Sequence, residues 1–500
     1  MDWSYPLLCA CERGGDRVAV VSREEPPITY RQLEERIARL SAGLRTLLAP
    51  GDPVAWLLPN VPAAIEVSMA LARVGAVGVP VNTRLAPEEV AYIVGDAGAR
   101  TAIAAADSLP LARRLREDGI LDLVIPLDAE AGGGPSVAAL RESDPEPPPL
   151  AGDRDEEEAA TITYTSGTTG FPKGVVRSHR ANAWNVVNSA LGSPRRPRDV
   201  ELFNLPIFGI GYLHFALPAL LGGATIVLDG GFDAARAWEL LERHRVTRTF
   251  LAPTMVHAML EVPGQAERDL ASLEMIYTAY AFPERLRAAA LARFGDLFVN
   301  MYGLTEAQLT CVESVEVPFD GVNVGRAMGV SRIAVLDEDG KTAEPGATGE
   351  IAFEGPSLMS RYHRDPAATE AALPDGWLRT GDLGRIEADG ELRYAGRIKD
   401  MIKTGGFSVD PVEVENAVLT LEEVEEAAVV GAPDERWGEA VVAFVAPRRG
   451  AAIDVERVLG ACRERIASFK VPKRVLVVEE LPKNATGKID KGSLRRSLHG

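Results

Sequence analysis

Cysteine is scarce in this chain: four in 500 residues, Cys9, Cys11, Cys311 and Cys462, with no spacing that builds a disulfide framework or a zinc site. That suits a reducing compartment, and a cytoplasmic location is expected. No uninterrupted apolar run approaches membrane-spanning length, so no integral membrane association is expected. The N-terminus sets Asp2, Glu12 and Arg13 around a short apolar run, which is not a signal-peptide pattern. Positive charge is in deficit. Lys and Arg number 54 against 72 Asp and Glu, a net charge of −18 that argues against nucleic acid as a general partner. The basic cluster Arg195-Arg196-Pro197-Arg198 reads as a solvated loop. What remains is 46% hydrophobic and 25% charged, the composition of an ordinary globular protein, in a chain too long for one core.

The first half alternates strands and helices. Thr29 with Gln32 forms a capping-box pattern, and Leu33, Ile37, Leu40, Leu44 and Leu47 follow at helical spacing. Strands are expected at 54–58, 77–81, 101–104 and 159–164, with helices at 63–74 and 87–94 between them. After an acidic, Gly- and Pro-rich connection at 131–158 the alternation resumes. Strands are expected at 224–228, 247–251, 273–278 and 297–301, with helices at 234–244 and 284–294. Such alternation means parallel sheets with helical crossovers. From about residue 325 short alternating strands and turn signals take over (332–336, 349–353, 391–394), a β-rich pattern. A last α+β unit follows the polar segment Arg397–Asp400. The expected fold is therefore α/β, in three parts. The first is a large N-terminal domain over 1–396, with αβ subdomains about 1–160 and 161–324 and a β-rich subdomain about 325–396. A hinge at 397–400 and a small mobile α+β C-terminal domain over 401–500 complete it.

The segment 164–174, Tyr-Thr-Ser-Gly-Thr-Thr-Gly-Phe-Pro-Lys-Gly, leaves the end of a strand. Its glycines free backbone N–H groups to face a ligand, its hydroxyls add donors, and Lys173 adds a cation, which together suit a polyphosphate. Gly and Thr also build plain turns. It is not a standard P-loop, since Lys173 is followed by glycine. Asn300-Met301-Tyr302-Gly303-Leu304-Thr305-Glu306, at another strand end, offers a ring for a base, a hydroxyl for a phosphate and an oxygen ligand for Mg²⁺. A Tyr-Gly turn before a Thr-Glu start is also a common structural solution. Asp382, in Thr380-Gly381-Asp382, either accepts from ribose hydroxyls or closes its turn. Lys488, near the C-terminus, reads by itself as a surface lysine.

In this order the segments resemble the adenylate-forming superfamily of acyl-CoA synthetases, luciferases and peptide-synthetase adenylation domains. The resemblance runs from Thr29 to Lys488. It rests on 165–174, 302–306, 380–382, 396–406 and 482–488, the last reading Pro-Lys-Asn-Ala-Thr-Gly-Lys. It implies an ATP-dependent acid–CoA ligase. A carboxylate attacks the α-phosphorus of ATP, giving acyl-AMP and pyrophosphate, and the thiol of CoA then displaces AMP. ATP and CoA are the implied co-substrates and Mg²⁺ the implied metal. By resemblance Thr165, Ser166, Gly167, Thr168, Thr169, Gly170 and Lys173 hold the β- and γ-phosphates. Tyr302 and Gly303, with Ala279, Tyr280 and Ala281, line the adenine. Thr305 meets the α-phosphate, and Glu306 with Thr165 ligates Mg²⁺. Asp382 takes the ribose with Arg397 beside it, and Lys488 bridges carboxylate and α-phosphate. Lys399 is the implied hinge, and Lys403, Gly405 and Gly406 line the pantetheine tunnel.

The acid is the open part. Where the family often has Pro-Leu-Phe-His, this chain has Pro206-Ile207-Phe208-Gly209, and a Gly-Gly-Ala-Pro-like turn is replaced by Thr278-Ala279-Tyr280-Ala281-Phe282. Phe208, Gly209, Tyr212, His214, Tyr280, Asn300, Met301 and Leu304 are the expected acyl-pocket residues. With no Lys or Arg among them, an apolar monocarboxylic acid is expected, fatty, aryl or bulky polycyclic. A stand-alone enzyme loading a carrier protein is the competing enzyme reading. A non-catalytic nucleotide-binding protein is the competing reading of another class. A monomer or homodimer is expected.

Overall fold

The computed structural model describes residues 2–129, 134–142, 155–165, 172–279, 282–312, 318–483 and 489–498. Three sheets organise them. In the first, seven strands run in the order 361–362, 173–178, 159–165, 77–80, 53–57, 101–104, 123–126. Its inner pairs are parallel, whereas the pairs made by 159–165 with 173–178 and by 173–178 with 361–362 are antiparallel. The second is a thirteen-stranded path. Its parallel half carries strands 200–203, 225–228, 248–250, 275–278 and 298–304, and its antiparallel half carries 308–312 through 392–397. The third, of five strands, belongs to the C-terminal unit.

Local chemistry explains the elements that hold this frame. The Tyr30–Leu44 helix starts on the expected capping box: Gln32 N donates to Thr29 Oγ1 (3.2 Å), and Thr29 N donates to Gln32 Oε1 (2.9 Å). Leu33, Ile37, Leu40 and Leu44 are all buried, while Leu47 lies past the last turn and is exposed. The helix face joins one hydrophobic cluster with Trp56 of the first sheet and with Phe203, Tyr277 and Val299 of the second, so one core welds both sheets.

Three expectations change. The chain does not divide between two αβ subdomains at 160. Strands Val18–Val21 and Ile28–Thr29 join the second sheet beside Thr225–Leu228, while the 159–178 hairpin closes the first, burying Ile162 and Val176 in its core. The β-rich strands 332–397 are continuous with the second sheet through Gln308–Val312 and Asn323–Ala327. Arg361–Tyr362 alone leaves them, pairing with Val175 and Val176 of the first. Arg195 is not solvated: it is buried with Glu201, its Nε 3.1 Å from Glu201 Oε2, and the exposed members of that cluster are Arg196, Pro197 and Arg198.

A helix with no sequence expectation, His179–Gly192, packs behind the hairpin. Its buried side chains mix Ala181, Ala183 and Val186 with His179, Asn182, Asn185, Asn188 and Ser189, so no continuous apolar stripe can be read. Hydrogen bonds replace that stripe: Asn182 Nδ2 donates to Thr161 Oγ1 (3.1 Å) and Asn188 Nδ2 to Ser331 Oγ (3.1 Å).

Close backbone approach decides one glycine. A Cβ on Gly174 would stand 2.9 Å from Ile162 Cγ2, 3.0 Å from His363 Cβ and 3.1 Å from the Tyr164 ring. Gly174→Ala should lower stability by about 1–3 kcal/mol through overpacking. Gly460→Ala, in a helix with open space around it, should stabilise instead. Thermal midpoints of the two variants moving the same way would contradict this.

Candidate active site

The hairpin sets the first part of the site. Thr165 lies opposite Lys173 in the antiparallel register, which brings the two together at the end of the first sheet. Ser166, Gly167, Thr168, Thr169 and Gly170 lie outside the described residues, as do Tyr280, Ala281 and Lys488. Lys173 Nζ stands 3.1 Å from Asp365 Oδ2 and 5.3 Å from the centre of the Tyr362 ring. Asp365 also caps the Pro366–Ala372 helix.

Glu306 follows the strand Phe298–Leu304. Tyr362 Oη donates to its Oε1 at 2.7 Å, and Met359 N donates to its carbonyl at 2.7 Å. Burial and the Glu306 charge push the Tyr362 phenol up, which keeps it a donor. Fully buried Arg177 donates to Asn182 Oδ1 (2.8 Å) and to the Ser357 carbonyl (2.8 Å). Burial pulls its pKa down to about 9 against the opposing field of Glu306. Thr305 offers its carbonyl to Gln308 Nε2 at 3.0 Å.

No cluster of three metal-ligating side chains exists among the described residues. Glu306 Oε2 accepts no hydrogen bond among them. One such carboxylate oxygen fits Mg²⁺ held jointly with a polyphosphate and waters, the usual arrangement for this ion, and not a protein-only cage.

Asp382 and Arg397 face each other on paired strands, and Tyr302 reaches them from Phe298–Leu304, which two further strands separate from the Arg397 strand in the same sheet. Tyr302 Oη donates to Asp382 Oδ2 at 2.6 Å, and Arg397 Nε lies 3.1 Å from Asp382 Oδ1. Burial raises the Asp382 carboxyl, opposed by Arg397 and by the Tyr302 hydrogen bond. Its Oδ1 has no aligned hydrogen bond, a buried acceptor still to be satisfied. The Tyr302 ring is itself buried against Phe353 and Tyr394, at 5.7 and 5.9 Å between centres. Gly303 continues that strand, and Ala279 packs on the central core.

A narrow cleft of about 30 Å³ opens between the sheets, lined by Phe208, Gly209 and Tyr212, and also by Trp3, Trp56 and Gln308. Tyr212 begins a π-helical turn, Tyr212–Ala216, a distortion frequent at functional sites. Four expected pocket residues do not reach this cavity. Asn300 is spent on the Asn323 carbonyl (2.7 Å) and on Met301 N, and Met301 is core. Leu304 packs on the Tyr302–Phe353 cluster, and His214 is buried with its Nδ1 3.2 Å from Ser189 Oγ.

Lys399 is exposed in the turn Ile398–Asp400, where partial desolvation and Arg397 pull its ammonium down. Lys403 Nζ donates to Ser408 Oγ at 2.6 Å. Gly405 and Gly406 both take left-handed φ, +57° and +82°, and Gly405 N donates to the Trp437 carbonyl. Around this turn lies a patch that sequence reasoning missed. Exposed Phe407 stacks on Phe469 (4.6 Å), and Arg436 and Lys473 sit 4.7 and 5.4 Å from the exposed Trp437 ring. Its members are scattered over 407–473, and alternating aromatic and basic residues were the available signal. Tyr362 and Asp365, in a two-residue strand and a helix cap, gave none.

Residues 9–363 match the AMP-binding enzyme family and residues 413–488 the AMP-binding enzyme C-terminal domain. The chain is 37% identical to an indoleacetate–CoA ligase of Aromatoleum aromaticum, over 94% of this chain and 93% of that one. It is 35% identical to a feruloyl-CoA synthase of an Amycolatopsis species, over 99% and 98%. The solved anthranilate CoA ligase AuaEII, in complex with anthranoyl-AMP, superposes with a TM-score of 0.90 at 26% identity, covering 100% of this chain and 97% of that one.

Burial, with Arg177 and Arg195 nearby, pulls the His214 pKa from 6.5 to about 3. Between those values the unfolded chain binds a proton that the folded chain refuses. His214 should therefore reduce stability as pH falls, by up to about 1.4 kcal/mol per pH unit. The stability difference between wild type and His214→Gln should shift by that slope between pH 6.5 and pH 5, measured by unfolding at each pH. A pH-independent difference contradicts the assignment.

Proposed function

This chain belongs to the AMP-binding enzyme family and is an AMP-forming acid–CoA ligase, and from that premise we propose that it activates an aromatic monocarboxylic acid using the residues described above. The observation that carries the reading is the juxtaposition across Tyr362: a lysine at the start of the Lys173–Ser178 strand on one side, a carboxylate with an open oxygen on the other. That pairing suits a metal-bound polyphosphate.

The acid's carboxylate attacks the α-phosphorus, the P–O bond to the β-phosphate breaks, and pyrophosphate leaves. Thr165, Ser166, Gly167, Thr168, Thr169, Gly170 and Lys173 receive the leaving pyrophosphate, and Thr305 meets the α-phosphate. Mg²⁺ supplies charge neutralisation when bound by Glu306 and Thr165. Asp382 Oδ1, the unsatisfied acceptor, takes a ribose hydroxyl. Both reactants are anions, so Lys488 between them offsets their repulsion and fixes the line of attack. No general base is needed, because the carboxylate is already ionised at neutral pH. In the second step the CoA thiol forms the C–S bond, and AMP leaves with the bridging oxygen.

Trp3, Trp56, Phe208 and Tyr212 bring four ring systems to the cavity, whose lining carries no Lys or Arg for a second carboxylate. Relatives acting on indoleacetate and ferulate support an aromatic acid. The Trp437 patch supports CoA as the acceptor, since exposed rings flanked by Arg436, Lys470 and Lys473 suit an adenine with attached phosphates. Lys399 is the pivot that brings this patch and the Gly405-Gly406 turn to the site.

Two variants separate the half-reactions. Lys488→Ala should cut acid-dependent ATP–pyrophosphate exchange by about 10²–10³ yet spare thioester formation from preformed acyl-adenylate. Trp437→Ala should raise the KM for CoA about tenfold, the loss of one base-stacking contact, and leave exchange unchanged. Equal loss of both half-reactions in either variant would contradict its role. Across an acid panel, arylacetic and arylpropenoic acids should exceed linear fatty acids in kcat/KM, and the reverse order would overturn the assigned class.

A further inference from the structure

Segment 359–363 ties together the two groups that would meet a polyphosphate. Its backbone is fixed at both ends, with Met359 N bonded to the Glu306 carbonyl and His363 N to the Gly174 carbonyl, each at 2.7 Å. Between them Tyr362 pairs with Val175, two residues from Lys173. Its hydroxyl donates to Glu306 Oε1 at 2.7 Å and its ring lies 5.3 Å from Lys173 Nζ. One side chain therefore touches both the carboxylate and the ammonium.

A carboxylate on a three-bond stem rotates freely unless something holds it. A donor on one oxygen fixes the plane of the group and leaves the other oxygen to bind a cation, the role partners behind metal ligands commonly play. Glu306 shows this division: Oε1 takes the Tyr362 bond, and Oε2 accepts none among the described residues. Lys173 is held in readiness similarly. Its ammonium faces the ring and rests on half-exposed Asp365 at 3.1 Å, a pair weak enough in water for a phosphate oxygen to displace.

The geometry points to Tyr362 as a positioning residue of the metal–polyphosphate site, holding the Glu306 carboxylate through its hydroxyl so that one oxygen faces Mg²⁺, and keeping Lys173 beside it through its ring. This rests on Glu306 as the Mg²⁺ ligand, so the test includes Glu306 itself.

ATP is titrated calorimetrically into wild type, Tyr362→Phe, Glu306→Gln and the double variant, each with excess Mg²⁺ and with EDTA. Mg²⁺ should tighten ATP binding by the wild type. Tyr362→Phe, which keeps the ring, should lose about tenfold of that tightening, with affinity in EDTA and thermal midpoint unchanged. Glu306→Gln should lose it too, and adding Tyr362→Phe should cost nothing further, because both act through one carboxylate. If Tyr362→Phe tightens like wild type while Glu306→Gln does not, the inference is overturned. It is equally overturned if the two losses add in full, or if Tyr362→Phe weakens binding equally in EDTA. If Glu306→Gln keeps the tightening, Glu306 is not the ligand, and that reading falls together with the inference.

Discussion

The register that sets Thr165 against Lys173 is the constraint from which the site follows. An antiparallel pair that ends on those two residues brings both to the rim of the first sheet. The pair is fixed by buried Ile162 and Val176 on one face. On the outer edge Arg361–Tyr362 is hydrogen-bonded to it, a strand borrowed from the neighbouring β-rich region. That borrowed strand binds the first sheet to the Glu306 turn of the second, so a slip of the hairpin would uncouple the lysine from the carboxylate.

The electrostatics have one economy. A chain of net charge −18 that receives ATP and a carboxylate must keep its cations local and ready. Lys173 rests on Asp365 and Arg397 on Asp382, each an ion pair that an incoming anion or hydroxyl can reorganise. The fully buried charges behave differently. Arg177 and the Arg195–Glu201 pair are desolvated and hydrogen-bonded into the scaffold behind the site, where breaking a pair would strand a charge.

The sequence made legible those parts whose physics is local or periodic. The Thr29 capping box, the helix Glu284–Phe294 and the strand Arg332–Leu336 stand where pattern put them, because one residue spacing determines each. The segments that carry the family resemblance are recognisable because glycines and hydroxyls cluster in short runs. Long-range choices were not legible. Nothing near Val18 says that its strand joins Thr225–Leu228 two hundred residues on, and a helix whose buried residues mix asparagine, serine and histidine with alanine and valine has no clear periodicity to find. Arg195 looks solvated until Glu201 is seen beside it. In the site, Asn300, Met301, Leu304 and His214 stand at plausible positions but turn to core or polar partners. Tyr362, Trp3 and Trp437 come together with their neighbours only in the folded chain.

Adenylation, a carboxylate oxygen bonding to the α-phosphorus, is the central claim, and isotope transfer tests it most directly. An aromatic acid labelled with ¹⁸O in its carboxylate is turned over with ATP and CoA, and the nucleotide product is analysed by mass. The account predicts AMP carrying one ¹⁸O from the acid and unlabelled pyrophosphate. Label appearing in inorganic phosphate with ADP as the product, or AMP free of label, would contradict it.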